Sequence, residues 1–551
     1  MPTDPENPLA LSAAPELIFG LVAPIGVDLD LITDILEQTL REMDYEAHRF
    51  RLTQLMREIP TRITLDDGHY IGSFKARIAY ANEIRRQLGD EALAAMAVSA
   101  IRAFRAEERE RQRRHATGSA DADSQDADED DEEAPILRQA YVIRQIKRPE
   151  EVALLRGVYG RQFILVAAYA PQELRTRRIA DLERRSRGGL ISEVEARNLA
   201  HELVMQDAKE TLDPHGQNVG DAFPLGDVFI DATSRQTAEA MTRRFVNALF
   251  GSNDVTPSHD EYGMYMAKTA SLRSSDLSRQ VGSAIFRQSG EVVTLGCNEV
   301  PKAGGGTYWS GDPLDARDFV AGHDPDEDQK IEILVDLLDR LQKGGHLSEE
   351  LTHLEDPHEI GKHLLGEGTI SSVSESRVMD LLEFGRIIHS EMSALCDAAR
   401  KGLSVQDSTL YCTTFPCHLC AKHIVAAGVK QVVFLEPYPK SYATELHGDS
   451  IIVDPAEKTD KVVFRPFIGI SPYRYRDLFE KGKRKYSGGL AQRWNLGIRR
   501  PMIEVYFPSY FKAEAKVVSQ MSDKLEAMVA QHHESPVVAA EQEQTAAAPH
   551  P

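Results

Sequence analysis

His389-Ser390-Glu391, then 24 residues, then Pro416-Cys417-His418-Leu419-Cys420 is the stretch on which the reading of this chain turns. A zinc site that performs chemistry takes three protein ligands and leaves a fourth position open. His389, Cys417 and Cys420 supply one imidazole and two thiolates, so Zn2+ is the expected cofactor. If Pro416 opens a helix, Cys417 and Cys420 share one face of it near its positive end, which favours thiolate. A structural zinc would need a fourth ligand. The nearest candidate, His418, lies between the cysteines and should point off their common face. Glu391 stands two positions beyond the histidine, outside the ligand set, where it can move protons.

The order H-x-E followed by P-C-x-x-C is the arrangement used for hydrolytic deamination of nucleobases, with Glu391 as the expected catalytic residue. A lone C-x-x-C says little, whereas the combination with the proline and this separation is specific. Two substrate classes stay open: free nucleotides, or cytosine or adenine within RNA or single-stranded DNA. A polynucleotide reading calls for a basic channel with aromatic platforms. The net charge is −22, and Asp121 to Glu133 alone holds nine acidic residues and no basic one. Such a chain is a poor non-specific nucleic-acid binder. Basic clusters at Arg175, Arg177, Arg178, Arg184, Arg185 and Arg187, and at Lys481, Lys483, Arg484 and Lys485, read first as solvated faces. Only the second, with Tyr473, Tyr475 and Tyr486 nearby, hints at a strand-binding surface. No apolar run approaches the ~20 residues of a membrane span. Met1 to Ala10 lacks the basic region of a signal peptide, so no membrane association and a cytoplasmic location are expected. Cys297, Cys396 and Cys412 read as buried thiols.

The length implies more than one domain. Residues 1–14 and 533–551 have the composition of disordered ends, and 116–134 that of a disordered acidic loop. From 15 to 255 apolar strand-like runs alternate with helical patterns, which predicts a doubly wound parallel sheet. The first strand, Glu16 to Val22, runs into Ala23-Pro24-Ile25-Gly26 and a helix from about Asp28, the way a phosphate-binding loop begins. Ala23 and Gly26 would belong to that loop, but it is degenerate. Gly26-Val27-Asp28-Leu29-Asp30 stands where G-K-[ST] is needed, and no lysine precedes Lys75. This half resembles the P-loop nucleoside and nucleotide kinases, with the lysine lost. The resemblance implies a P-loop NTPase-like domain that senses a regulatory nucleotide, makes oligomer contacts or acts as scaffold.

A second domain is expected over 256–532, with an insertion at about 302–376 whose histidines (His346, His353, His358, His363) read as surface residues. Val281 to Arg287 and Glu291 to Cys297 form a predicted hairpin. The spacing predicts a helix from Val378 to Arg400, a strand at Ser408 to Thr414, a helix at Cys417 to Ala427, and strands at Gln431 to Glu436 and Lys461 to Ile470.

Over residues 262–475 that order resembles the cytidine deaminase-like α/β/α fold. Within it, Arg273-Ser274-Ser275, Gln280-Val281-Gly282 and Gly296-Cys297-Asn298-Glu299-Val300-Pro301 resemble the Arg-Ser, Gln-Val-Gly and G-x-N-x-x-P elements of deoxycytidylate deaminases. The resemblance implies that Asn298 contacts the sugar, that Arg273, Ser274 and Arg279 help hold phosphate, and that Tyr438 packs on the nucleotide. Asparagine also ends hairpins by turn chemistry alone. The whole chain, with Glu436-Pro437-Tyr438-Pro439-Lys440-Ser441 behind the deaminase motifs, resembles the bacterial anti-phage deoxycytidine nucleotide deaminases. That family converts dCMP and dCTP to their uracil forms and depletes dCTP, and some members are held inactive by a small RNA. The resemblance implies free deoxycytidine nucleotides as substrates, an inhibitory small RNA as partner, and a homo-oligomer.

Overall fold

The computed structural model describes residues 14–65, 68–116, 135–210, 213–366, 373, 376–438, 440–455, 457, 459–486, 489–494, 499–503 and 509–533. The disordered segments expected at 1–14, 116–134 and 533–551 lie outside these residues but for Ala14, Ala116 and His533. The chain divides into two compact units, Met1–Ser258 together with Ile468–Pro551, and His259–Phe467.

In the first unit β1 (Leu17–Val22), β2 (Glu46–Arg51), β3 (Gln139–Ile146), β4 (Phe163–Tyr169) and β5 (Val228–Asp231) form a parallel sheet in the order β2-β3-β1-β4-β5. The apolar runs of β1, β3 and β4 are buried, as interior parallel strands must be when helices cover both faces. β2, with the sequence EAHRFR, carries its charges at the sheet edge. The principal helices are α1 (Leu29–Arg41), α2 (Tyr70–Leu88), α3 (Ala92–Ala116), α4 (Pro149–Tyr159), α5 (Gln172–Ser186), α6 (Glu193–Ala208) and α7 (Arg235–Leu249). Asp28 caps α1 by accepting from the Leu31 N–H at 3.0 Å. Ile32, Ile35, Leu36 and Leu40 recur along one face of α1 and share a core with Phe245, Val246 and Leu249 of α7.

The second unit contains α8 (His259–Ser271), the antiparallel hairpin β6 (Gly282–Phe286) and β7 (Val292–Cys297), α9 (Pro325–Lys343), α10 (Pro357–Leu365) and α11 (Ser390–Arg400). These are followed by β8 (Thr409–Thr414), α12 (His418–Ala426), β9 (Gln431–Glu436), β10 (Ile451–Val453) and β11 (Val462–Pro466). The sheet order is β10-β11-β9-β8-β6-β7, parallel from β10 to β8 and antiparallel beyond. The insertion has a small core of its own, with Leu334 and Leu338 of α9 against Ile360 of α10. His346, His353, His358 and His363 are exposed, as is His323.

Three expectations need correction. The second domain does not run to 532. Gly469–Ile470 pairs antiparallel with β5, Arg474 donates to the Phe163 carbonyl and meets Asp227, and Glu514 of α13 (Ser509–His533) binds the buried Arg105, so the chain from Ile468 belongs to the first unit. The strand expected at 461–470 is therefore two strands in two different sheets. The helix expected from Val378 begins only at Ser390, because His389 takes the extended backbone of an N-cap residue. Among the described residues no helix is long and apolar enough to cross a membrane.

Candidate active site

Two helix beginnings meet at the carboxyl end of β8. His389 caps α11, which places Glu391 in its first turn, where the partial positive charge of the helix suits a carboxylate. Cys417 caps α12, one residue after Pro416, and its Sγ accepts from the Cys420 N–H at 3.5 Å. α11 reaches this position because residue 296 is glycine. A Cβ there would lie 2.1 Å from the Ser390 carbonyl oxygen and 2.6 Å from the Ala394 nitrogen. Thr294 of β7 adds a hydrogen bond to the Ala394 carbonyl at 3.0 Å.

His389, Cys417 and Cys420 present one ligand atom each within 4.8 Å of one another. His389 Nδ1 is 3.3 Å from Cys417 Sγ and 3.5 Å from Cys420 Sγ. Tetrahedral zinc bonded to nitrogen and sulfur at its ordinary lengths would set that separation at about 3.6 Å, so the three residues fit the ion. Among the described residues no fourth histidine, cysteine or carboxylate joins the cluster, and the His418 ring lies edge-on to Tyr442 instead. The three residues also interact electrically with one another. The Cys420 thiol, then the His389 ring, hold the Cys417 thiol down to about 4 against the effect of burial. Cys417 in turn raises His389 to about 9.

Glu391 is only 4% exposed, and burial raises its carboxyl above the ordinary range. Ser390 Oγ donates to Glu391 Oε2 at 3.0 Å and lies 2.7 Å from Ser283 Oγ, which fixes the carboxyl group against β6. The ligands and Glu391 border a cavity of about 220 Å³ whose other walls include Asn298, Arg279, Tyr438, Asp276 and Phe415.

Of the residues expected to touch substrate, Asn298, Arg279 and Tyr438 line this cavity, and Arg273 and Ser274 are not among its lining residues. The Arg279 guanidinium sits over the Tyr438 ring, 4.8 Å from its centre. Asn298 is already heavily used by the protein. Its amide nitrogen donates to Asp276 Oδ2 at 2.7 Å and to the Arg279 carbonyl at 2.8 Å, and its oxygen accepts from the Val281 N–H at 2.7 Å. Arg273 instead anchors the insertion, donating to the Thr307 and Tyr308 carbonyls and lying 3.6 Å from the centre of the Trp309 ring. Ser274 Oγ accepts from the Asp276 N–H. Asp276 and Phe415 were missed by sequence reasoning, although each adjoins a quoted motif. Cys297 and Cys412 are buried as expected, but Cys396 is exposed on α11.

In the first unit Ala23 and Gly26 lie in the turn after β1, as expected, and Gly26 has φ +90. The turn holds an internal anion: the Ile25 N–H donates to Asp207 Oδ2 at 2.7 Å, and Lys147 Nζ bonds Asp207 Oδ1 at 2.7 Å and the Ala23 carbonyl at 3.0 Å.

Residues 257–436, about a third of the chain, match the family described as "Cytidine and deoxycytidylate deaminase zinc-binding region". The deoxycytidylate deaminase of Enterobacteria phage T2 is 44% identical over 54 residues, 10% of this chain and 29% of that protein. The probable deoxycytidylate deaminase of Caenorhabditis elegans is 26% identical over 188 residues, 34% of this chain and 62% of that protein. The chain thus spans less than two thirds of these relatives' lengths. The cyanophage S-TIM5 dCMP deaminase aligns with 38% of this chain and 98% of its own at 18% identity, with a TM-score of 0.20. Over residues 257–436 the second unit is thus similar to the zinc-binding region of the cytidine and deoxycytidylate deaminases, and within that stretch the fold brings together three residues that fit the ion.

Proposed function

We infer that the second unit deaminates the cytosine of free deoxycytidine nucleotides, dCMP, dCTP or both, to the uracil forms by zinc-dependent hydrolysis. The observation that carries the reading is a buried carboxyl group, Glu391, beside three zinc-type ligands at a cavity of about 220 Å³. When bound, zinc supplies the Lewis acidity that makes water a nucleophile near neutral pH. Glu391 takes both protons of the attacking water in turn, delivering the first to ring N3 and the second, given up by the oxygen once it is bonded to C4, to the C4 amine. Oxygen becomes bonded to C4, and the C4–N bond breaks to release ammonia. Ser390 keeps the carboxyl oriented through both transfers. The Asn298 amide hydrogens are both committed, so its oxygen is what remains for a sugar hydroxyl. Arg279 offers the cation for phosphate, with Tyr438 backing it.

The resemblance of the whole chain supports a wider reading, in which this activity depletes dCTP during phage infection, is restrained by a small RNA, and resides in a homo-oligomer. It also supports reading the first unit as a degenerate P-loop kinase-like domain that takes a regulatory nucleotide. The cluster Lys481, Lys483, Arg484 and Lys485, the one hint of a strand-binding surface, belongs to the first unit rather than to the unit holding the zinc ligands. The test is chromatographic assay of the wild-type chain and Glu391→Ala against dCMP, dCTP, CMP, CTP, deoxycytidine and a cytosine-containing single strand. Uracil products from the free deoxynucleotides, absent with the variant, are expected. Turnover of the single strand alone, or an active variant, would overturn the reading.

A further inference from the structure

Behind the zinc ligands, the sheet of the second unit buries polar side chains where an apolar core would need none. Ser283 of β6 stands in register between Gly296 of β7 and Cys412 of β8. Because the first turn of α11 lies directly on Gly296, Ser390 reaches this same spot. Ser283, Ser390 and Cys412 are all fully buried. A hydroxyl or thiol taken out of water is costly unless its hydrogen bonds are made, so their partners have to account for all three.

The partners form a line. Cys412 Sγ lies 3.3 Å from Ser283 Oγ, Ser283 Oγ lies 2.7 Å from Ser390 Oγ, and Ser390 Oγ lies 3.0 Å from Glu391 Oε2. Each hydroxyl has one proton to donate, the thiol has one, and an ionised carboxylate has none. Ser390 spends its proton on Glu391, so Ser283 must be the donor at the 2.7 Å contact. Ser283 then has no proton left for Cys412, and the thiol donates to it. Turning Ser283 the other way would leave two serine oxygens face to face with no proton between them. Burial, and then the charge of Glu391, hold the Cys412 thiol above its ordinary range, so it keeps the proton that this order requires.

We propose that Ser283 and Cys412 are positioning residues for Glu391: with Ser390 they form a one-way chain of hydrogen bonds that pins Oε2 and leaves Oε1 to move protons. A proton on Oε2 would meet the proton of Ser390, so the chain keeps the transferred proton on Oε1. Hydrogen bonds in series polarise one another, which lets Ser283 and Cys412 strengthen a contact that neither makes. The consequence for rate rests on the deaminase reading, whereas the existence and direction of the chain do not.

The infrared S–H stretch lies apart from other protein bands and moves to lower frequency when the thiol donates. Subtracting the spectrum of the matching Cys412→Ala chain isolates the Cys412 band in each background. In the full wild-type chain it should lie at the hydrogen-bonded position, and Ser283→Ala should move it to higher frequency. A free-thiol band in the wild type, or a band that Ser283→Ala leaves in place, would overturn the proposal whatever the activity. With the cytosine nucleotide that the wild type deaminates, Ser390→Ala should lower kcat about tenfold and Ser283→Ala about threefold, at unchanged KM and zinc content. Added to Ser390→Ala, Ser283→Ala should cost nothing more, because its effect runs through Ser390. Cys412→Ser, which keeps a donor, should recover rate lost in Cys412→Ala. Equal losses from Ser283→Ala in both backgrounds, or zinc lost in place of kcat, would make these residues mere packing and overturn the proposal. A wild type inert toward every cytosine nucleotide, with the S–H shift present, would remove the deaminase reading and leave the chain of hydrogen bonds standing.

Discussion

A carboxyl group taken almost wholly out of water costs free energy that ordinary surface chemistry does not return. Glu391 meets that cost beside three metal-type ligands, and its removal should separate binding from turnover. Glu391→Ala should retain about one zinc per chain by metal analysis and lose about a thousandfold in rate. Cys417→Ala is expected to lose both, because two ligands do not hold zinc tightly. Arg279 stacks on Tyr438 inside the cavity, where it can read phosphate. Arg279→Gln should raise KM for dCMP about tenfold while leaving deoxycytidine turnover unchanged. Equal effects on both substrates would remove Arg279 from phosphate recognition. His389, Glu391, Cys417 and Cys420 were legible in the sequence because metal chemistry fixes residue type and spacing together. Arg273 and Ser274 were not legible as what they are. A motif match says which residues recur near a substrate, but only packing shows that Arg273 is spent on Thr307, Tyr308 and Trp309.

Elements set the site by where they begin. α11 starts at Ser390 instead of near Val378, and α12 starts just after Cys417, so two of the three ligands, His389 and Cys417, are caps. Helical patterning upstream of His389 could not reveal this, since the capping conformation is selected by what the side chain faces. Gly296 holds α11 against β7 at a distance that no side chain permits. Gly296→Ala should therefore cost about 3 kcal/mol in the second unit, visible as a lower Tm and reduced zinc content. An unchanged Tm with full zinc would mean that β7 yields easily. The interior strands of both sheets were readable because burial on two faces demands continuous apolar runs. The short β10 was not, because three residues carry too little pattern.

At the scale of the whole molecule, residues from Ile468 onward close the unit that the N-terminus opens. Arg105 lies buried between Glu16 and Glu514, with the Tyr141 and Tyr510 hydroxyls donating to Glu16. Glu514→Ala leaves that cation half-compensated and should destabilise the first unit by about 3 kcal/mol. Zinc content of the second unit should not change; differential scanning calorimetry with metal analysis checks both. By itself the sequence determined the α/β class of both units and picked out His389, Cys417 and Cys420 as a metal-type set that the fold brings together, because each is written in local residue type and period. Only the tertiary structure decided that the chain from Ile468 returns to the first unit, that Asp207 accepts from the Ile25 N–H in the turn after β1, and that Asn298 is bonded to Asp276, Arg279 and Val281. Those outcomes depend on contacts between residues as much as 494 positions apart, and no local pattern encodes which distant partner satisfies a buried charge.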